Sequence, residues 1–328
     1  MRDDPLTLAV YQRKRDGVRR RRASLFSFFL VTCYLSLVTT EAADRPLQVV
    51  ATLSTFADLT KTIGGDHVEV SAVASPKFNP HFIESKPSDV LKVKKADLLV
   101  HAGLDLELWR WPLVDAAGNR EVMPGAAHEL DLSRGIGLLE VPDRPLSRAE
   151  GDIHLYGNPH YWLHPENARV MAQAIAAKLS ELDPAHAPVY HERLEGFLKS
   201  LDARISQWQA QLASLRGKEA LAYHRSWPYL AQFAGIRVEQ FLEPKPGIPP
   251  TPRQLAFLEQ YVAQRHIPAI LQESFVPEEA GRVLERRTGL RVVTLCQNVG
   301  ELPEASDYLA MMDYNVRQLT QALGEPRA

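Results

Sequence analysis

The sequence predicts an α/β protein of two lobes, each a mainly parallel sheet flanked by helices, joined by one long rigid helix. Three observations carry this. Short apolar runs alternate with amphipathic stretches from Leu47, and the same rhythm returns after Gly217, which is the pattern of βαβ units whose sheet is covered on both faces. Between the two blocks lies the longest periodic stretch of the chain. Finally, 328 residues exceed what one ordinary core organises and suit two domains of about 100–200 residues.

Residues 1–42 read as a secretory signal peptide. Arg13-Lys14-Arg15 and Arg19 to Arg22 precede an apolar run from Leu25 to Val38, and small and polar residues follow through Ala43. The order is positive, apolar, cleavable. The run is shorter than the roughly 20 residues of a membrane-spanning helix, so removal near Ala42 is expected rather than a permanent anchor. Leu30-Val31-Thr32-Cys33 weakly resembles a lipoprotein attachment site. Thr is a poor residue before the Cys, however, and the apolar run continues past it, so Cys33 is assigned to the signal.

In the first lobe, residues 43–183, strands are expected at Leu47 to Leu53, Val68 to Val73 and Asp97 to Val100. The connector, residues 184–216, carries Leu194, Leu198, Leu201, Ile205, Trp208, Leu212 and Leu215 at spacings of four and three. These predict one helix from about Pro188 to Arg216, packed along both lobes and holding them nearly fixed. In the second lobe, residues 217–328, strands are expected at Ala220 to Tyr223, Arg237 to Phe241, Pro268 to Leu271 and Arg291 to Leu295. Helices fit near Trp227 to Ala234, Pro252 to Gln264 and Pro277 to Arg287.

Composition narrows the function. With 45% hydrophobic and 24% charged residues the chain can bury a core. Its formal net charge of −2 hides an asymmetry: residues 1–42 hold eight Lys/Arg and four Asp/Glu, so the remainder is at −6. An acidic body with no basic stripe argues against a nucleic-acid partner. Only Cys33 and Cys296 are present, which excludes a disulfide framework.

The histidines carry the chemistry. Of eleven, His67, His128, His186, His191 and His266 stand among polar neighbours where a solvated imidazole is the ordinary outcome. Three placements differ. His81 follows the second strand in Phe78-Asn79-Pro80-His81, His160 follows a second Asn-Pro turn in Gly157-Asn158-Pro159-His160, and His224 directly follows the first strand of the second half. All three fall near the carboxyl ends of strands, where open α/β sheets bind ligands. Pro fixes φ and restricts the residue before it, so each Asn-Pro turn sends the next side chain out in a set direction. Three neutral imidazoles plus one oxygen suit a tetrahedral Zn²⁺ site. The fourth ligand is assigned to Glu273, at the carboxyl end of a buried-type strand, with Cys296 as its competitor; a lone Cys after an apolar strand more often packs as a small hydrophobe. His164, before Pro165-Glu166-Asn167, reads as a helix cap, and His154 reads as solvent-exposed. A solvated ring is the alternative for His164 and an outer ligand or ion-collecting group the alternative for His154; neither enters the expected ligand set.

These residues resemble the metal-binding cluster of periplasmic solute-binding proteins, the zinc and manganese receptors of ABC importers. The resemblance covers nearly the whole mature chain. It rests on Asn79-Pro80-His81 with Glu84, Lys86-Pro87-Ser88-Asp89, Gly103-Leu104-Asp105-Leu106-Glu107 with Trp109, Asn158-Pro159-His160-Tyr161-Trp162-Leu163, Tyr223-His224-Arg225-Ser226-Trp227, and Glu243-Pro244-Lys245-Pro246-Gly247. It implies a metal held in the cleft between two lobes, an ABC permease of the inner membrane as partner, and no catalysis. Manganese-type receptors commonly carry Glu at the place of His224, so the resemblance favours Zn²⁺ over Mn²⁺ or Fe²⁺. Many members have Asp after the last strand where this chain reads Cys296-Gln297-Asn298, so the fourth ligand does not transfer.

The expected protein is therefore a monomeric periplasmic receptor that binds a divalent transition ion, most readily zinc, and delivers it to an importer. Because bound imidazoles must be neutral, affinity is expected to fall as pH drops through ~6.5. The alternative is a secreted zinc-dependent hydrolase using the same histidines with Glu273 as general base; no His-Glu-x-x-His helix or Gly-x-Ser-x-Gly elbow supports it.

Overall fold

The structure, a computed structural model, describes residues 45–143, 154–243 and 247–324. The signal-peptide reading of residues 1–42, with Cys33, lies outside the described residues. Among the described residues no helix is long and apolar enough to cross a membrane.

The first lobe runs β1 (Leu47–Ala51), α1 (Ser54–Gly64), β2 (Val68–Ala72), α2 (Pro87–Lys95), β3 (Leu98–His101), α3 (Arg110–Ala117), β4 (Glu129–Asp131) and α4 (Pro165–Leu182). The long helix α5 (Ala187–Leu212) follows. The second lobe runs β5 (Glu219–Ala222), α6 (Pro228–Ala234), β6 (Arg237–Phe241), α7 (Pro252–Arg265), β7 (Ala269–Glu273), α8 (Glu278–Thr288), β8 (Arg291–Leu295) and α9 (Tyr308–Leu323). Both sheets are four-stranded, in the orders β2-β1-β3-β4 and β6-β5-β7-β8. All pairings are parallel.

Central strands β3 and β7 are buried along their whole length, as expected of parallel strands covered on both faces. The two sheets repeat one topology. In each, the chain steps outward from the first strand on one side and then on the other, so the order reverses between β1 and β3 and between β5 and β7. Crevices form at such points outside the carboxyl ends of the strands. Strand β4 has only three residues, too few for a period of two to register in sequence.

Helix α5 spans 26 residues, about 39 Å at 1.5 Å per residue. It packs on α1 and α4 of the first lobe and on α9 of the second. Its buried stripe is Tyr190, Phe197, Leu201, Ile205, Trp208 and Leu212. Leu194 and Leu198 are only partly buried, because Tyr190 and Phe197 take the inward positions near the amino end.

One apolar core runs without interruption from β1 and α1 through α5 to β8 and α9. A second, smaller cluster lies where α7 and α8 cover the far face of the second sheet. Hydrogen bonds reinforce the join between lobes. Ser54 Oγ donates to Val299 O (2.7 Å), the Val299 amide to Thr55 Oγ1 (3.1 Å), Trp162 Nε1 to Gln297 O (2.7 Å) and Tyr308 Oη to Trp162 O (2.8 Å). A joint this apolar and this well bonded lets the lobes move little.

Trp208 is fully buried on the face of α5 that meets α9, where its Nε1 donates to Asp313 Oδ1 at 2.7 Å. Truncation to Ala should cost about 3–5 kcal/mol. Chemical denaturation of Trp208→Ala is expected to show that loss in one cooperative transition shared by both lobes; two separated transitions would show lobes that fold independently.

Candidate metal centre

Four imidazoles meet at the facing carboxyl edges of the two sheets. His81, His154, His160 and His224 each offer one nitrogen, and the four atoms lie within 4.8 Å of one another. His81 and His160 oppose Nε2 to Nε2 at 3.3 Å. That equals the edge of a tetrahedron with bonds of about 2.0–2.1 Å, roughly 3.3–3.4 Å. The His81, His160 and His224 rings are buried, and the His154 side chain is 9% exposed.

Local chemistry explains how each ring is aimed. Asn79 and Asn158 perform the same act two residues before their histidines: the Oδ1 of each accepts the backbone N–H of the His, at 3.0 Å in both turns. These are Asx turns tightened by the intervening Pro. Trp109 Nε1 pins the first turn by donating to Pro80 O at 2.8 Å. Asn158 does more. Its Nδ2 donates to Glu140 Oε2 and to Arg225 O, both at 2.9 Å, and these acceptors fix which end of the amide carries oxygen. That oxygen also accepts from His160 Nδ1 at 3.0 Å, so Nδ1 carries the hydrogen and Nε2 presents its lone pair.

His224 is set in the same way by a carboxylate. Its Nδ1 lies 2.7 Å from Glu243 Oε2, leaving a buried Nε2 with no hydrogen bond among the described residues. His154 Nδ1 lies 3.6 Å from Asp105 Oδ1, and its Nε2 is likewise buried and without one. Imidazole ligands backed by a carboxylate or amide oxygen on the second nitrogen are the usual arrangement at metal sites.

Burial holds His81 and His160 well below the usual imidazole range, and the neighbouring imidazoles push in the same direction. These two lone pairs therefore resist protonation, which moves their competition with protons below the ~6.5 expected from an ordinary imidazole. At Asp105 burial works to raise the carboxyl, but contacts to His154 and the Leu155 amide outweigh it and hold the group below its ordinary value.

The structure brings three of the four residues singled out in sequence, His81, His160 and His224, together with His154, and Glu273 lies outside this group. Glu273 ends β7 next to the strand that leads into His224, since Ala222 pairs with Leu271. Its fully buried carboxyl faces Ser226 and Gln297, whose Nε2 is 3.4 Å from Oε1, and it is not among the four. Burial pushes that carboxyl up to about 7, against the pull of His224 and a hydrogen bond from Ser226. Cys296 belongs to the apolar core, where burial raises its thiol well above the usual range. His164 caps α4, accepting from the Glu166 amide at 3.3 Å.

His154 corrects the expectation of solvent exposure. Its immediate neighbours in sequence are unremarkable, and the carboxylate beside it belongs to Asp105, 49 positions earlier. The one available signal was Gly157 midway to His160. It has φ +113°, a conformation side chains avoid, and an added Cβ would lie 3.1 Å from Leu139 O. A glycine is thus required in the short link between the two histidines.

Comparison with known proteins identifies the family. The sequence matches the profile of the ZnuA family, described as zinc-uptake complex component A, periplasmic, over residues 49–322. The chain belongs to this family. The metal ABC transporter substrate-binding lipoprotein ScbA of Streptococcus cristatus is 27% identical over 305 residues, covering 90% of this chain and 95% of the relative. The iron-binding protein YfeA of Yersinia pestis is 26% identical over 327 residues, covering 93% and 97%. A crystal structure of ZnuA superposes with a TM-score of 0.72 at 21% identity, covering 85% of this chain and all of that one, and shares the two-lobe α/β fold. Family members are substrate-binding receptors of ABC importers, not enzymes, so the hydrolase reading falls. A metal ion is the cargo and an ABC permease the partner.

In the metal-free protein, ¹⁵N-resolved NMR titration should find His81 and His160 still neutral at pH 6.5. Ordinary half-protonation of both rings at that pH would contradict the electrostatics of the buried cluster.

Proposed function

We propose that the protein is a periplasmic zinc receptor which holds Zn²⁺ on His81, His154, His160 and His224 and passes it to an inner-membrane ABC permease. The observation that carries this is the all-imidazole cluster, with its 3.3 Å opposition of His81 and His160. Neutral nitrogen donors suit zinc, whereas manganese takes oxygen-rich sets more readily. Four protein nitrogens also leave no open position for an activated water, which is the arrangement of a holding site rather than a hydrolytic one. Iron appears in the name of one relative, and Fe²⁺ is the ion against which zinc must compete in the test below.

Glu243 and Asp105 stand behind His224 and His154 and offset the charge that the ion brings. Glu273, the ligand expected from its strand position, takes the role of a buried neighbour beside the cluster. In this reading the lobes at 43–183 and 217–328 share the ion across the seam, with 184–216 as the spacer between them. The Arg-rich start followed by an apolar run from Leu25 to Val38 supports export with cleavage near Ala42.

Competitive titration with zinc, manganese and ferrous ions is expected to give one zinc per chain and displacement of the other two. His160→Ala should cost more than the roughly 100-fold that follows loss of an outer partner, and His154→Ala should cost more than Glu273→Gln. The opposite order would return the fourth place to Glu273. Native mass spectrometry of protein recovered from its own periplasm should show a monomer that starts near residue 43 and carries one zinc. A full-length chain, or one without metal, would count against export or against the cargo respectively.

A further inference from the structure

We infer that Asp105 is the positioning residue that makes His154 the fourth nitrogen of the cluster, and that it thereby sets a preference for zinc over manganese. The inference rests on the proposed ligand set and goes beyond it in naming what decides the last member.

The other three imidazoles are aimed by means that leave His154 aside. His81 and His160 each follow an Asn-Pro pair whose Asn Oδ1 holds the backbone, and His224 leans on Glu243. No such pair precedes His154 in Asp152-Ile153-His154. Asp105 does the equivalent work from the β3–α3 loop. One oxygen, Oδ2, accepts the Leu155 amide at 2.8 Å and so fixes the backbone immediately after His154. The other, Oδ1, lies 3.6 Å from His154 Nδ1 and is buried, with no hydrogen bond among the described residues. A single carboxylate thus holds both the chain and the ring, with Nε2 left for the ion. The 3.6 Å separation is an ion-pair distance; a cation on Nε2 strengthens Nδ1–H as a donor and draws the contact in.

The loop that carries Asp105 is itself held. Gly103 and Leu104 take φ +68° and +52°, a tight left-handed pair that is uncommon at Leu. The Gly103 amide donates to His101 Nδ1 at 2.9 Å, and both oxygens of buried Glu107 accept the Ala102 amide, at 3.2 and 3.0 Å. Asp105 is 7% exposed. It is therefore a preset clamp that His154 meets.

Selectivity follows from what replaces His154 when the clamp is lost. Water or a carboxylate in the fourth place exchanges a nitrogen donor for an oxygen donor, and that change favours manganese relative to zinc.

The test uses the full mature chain, with zinc and manganese ions as probes, in the wild type, Asp105→Asn, Asp105→Glu, His154→Ala and the Asp105→Asn/His154→Ala double variant. Asp105→Asn should weaken zinc binding by about 10–100-fold and His154→Ala by at least as much, each with a smaller effect on manganese. The double variant should be no weaker than His154→Ala alone, because the clamp acts only through that ring. Asp105→Glu should recover part of the loss. Cobalt-substituted Asp105→Asn should show the same change in visible absorption as His154→Ala. Additive losses in the double variant, or an unchanged zinc-to-manganese ratio in Asp105→Asn, would overturn the assignment. Should Asp105→Asn not fold, Asp105→Ser carries the same comparison and is expected to match His154→Ala. His160→Ala separates the two levels: if it leaves zinc binding intact the metal site itself fails, and if it abolishes binding while the Asp105 variants behave additively only the positioning role fails.

Discussion

Four imidazole lone pairs converging inside 4.8 Å of one another repel unless something positive stands between them. Protons are poor candidates for that place at His81 and His160, since burial and neighbouring rings disfavour the charged form. A divalent cation, as proposed for this site, would satisfy all four lone pairs at once. The surroundings follow from this need. Asn158, Glu243 and Asp105 each engage the outer nitrogen of a different ring, so that the inner nitrogen is left to face the centre. Two of these groups are carboxylates, which also offset the charge the ion introduces.

Convergence of this kind requires both sheets to be held in place, and the join between lobes supplies that. The core passes through α5 without a break, and hydrogen bonds between side chains and backbone cross from α1 to the segment after β8 and from Trp162 to Gln297. Asn158 ties the seam together at several points. It anchors His160 through Oδ1 and, through Nδ2, bonds the carbonyl of Arg225 directly after His224. A displacement of either lobe edge would thus act on two of the four rings together. Tyr229 adds a brace, donating to Asn158 O and accepting the Leu139 amide, both at 3.0 Å.

The elements most clearly written in the sequence are those whose signal is local. Alternation of apolar runs marks seven of the eight strands among the described residues, and the spacing along α5 marks the connector. Strand β4 escaped because Glu129-Leu130-Asp131 is too short to show a period. At the amino end of α5 Tyr190 and Phe197 are the buried positions, and Leu194 and Leu198 pack against the core only in part. In that region the helix is flanked by packing partners that only the folded chain selects.

The same division holds for the site. Repetition of Asn-Pro-His at 79–81 and 158–160, together with a His directly after β5, determined three of the four rings, because each is aimed by residues within two positions or by the end of a strand. The fourth was decided by tertiary structure. Glu273 stands at the right strand terminus, yet its side chain turns to Ser226 and Gln297. His154 has an ordinary local sequence, yet a carboxylate from the β3–α3 loop carries it into the cluster. Strand order tells which residues reach an edge; which of them turns toward the cluster depends on partners distant in the chain, and that information exists only once the lobes have packed.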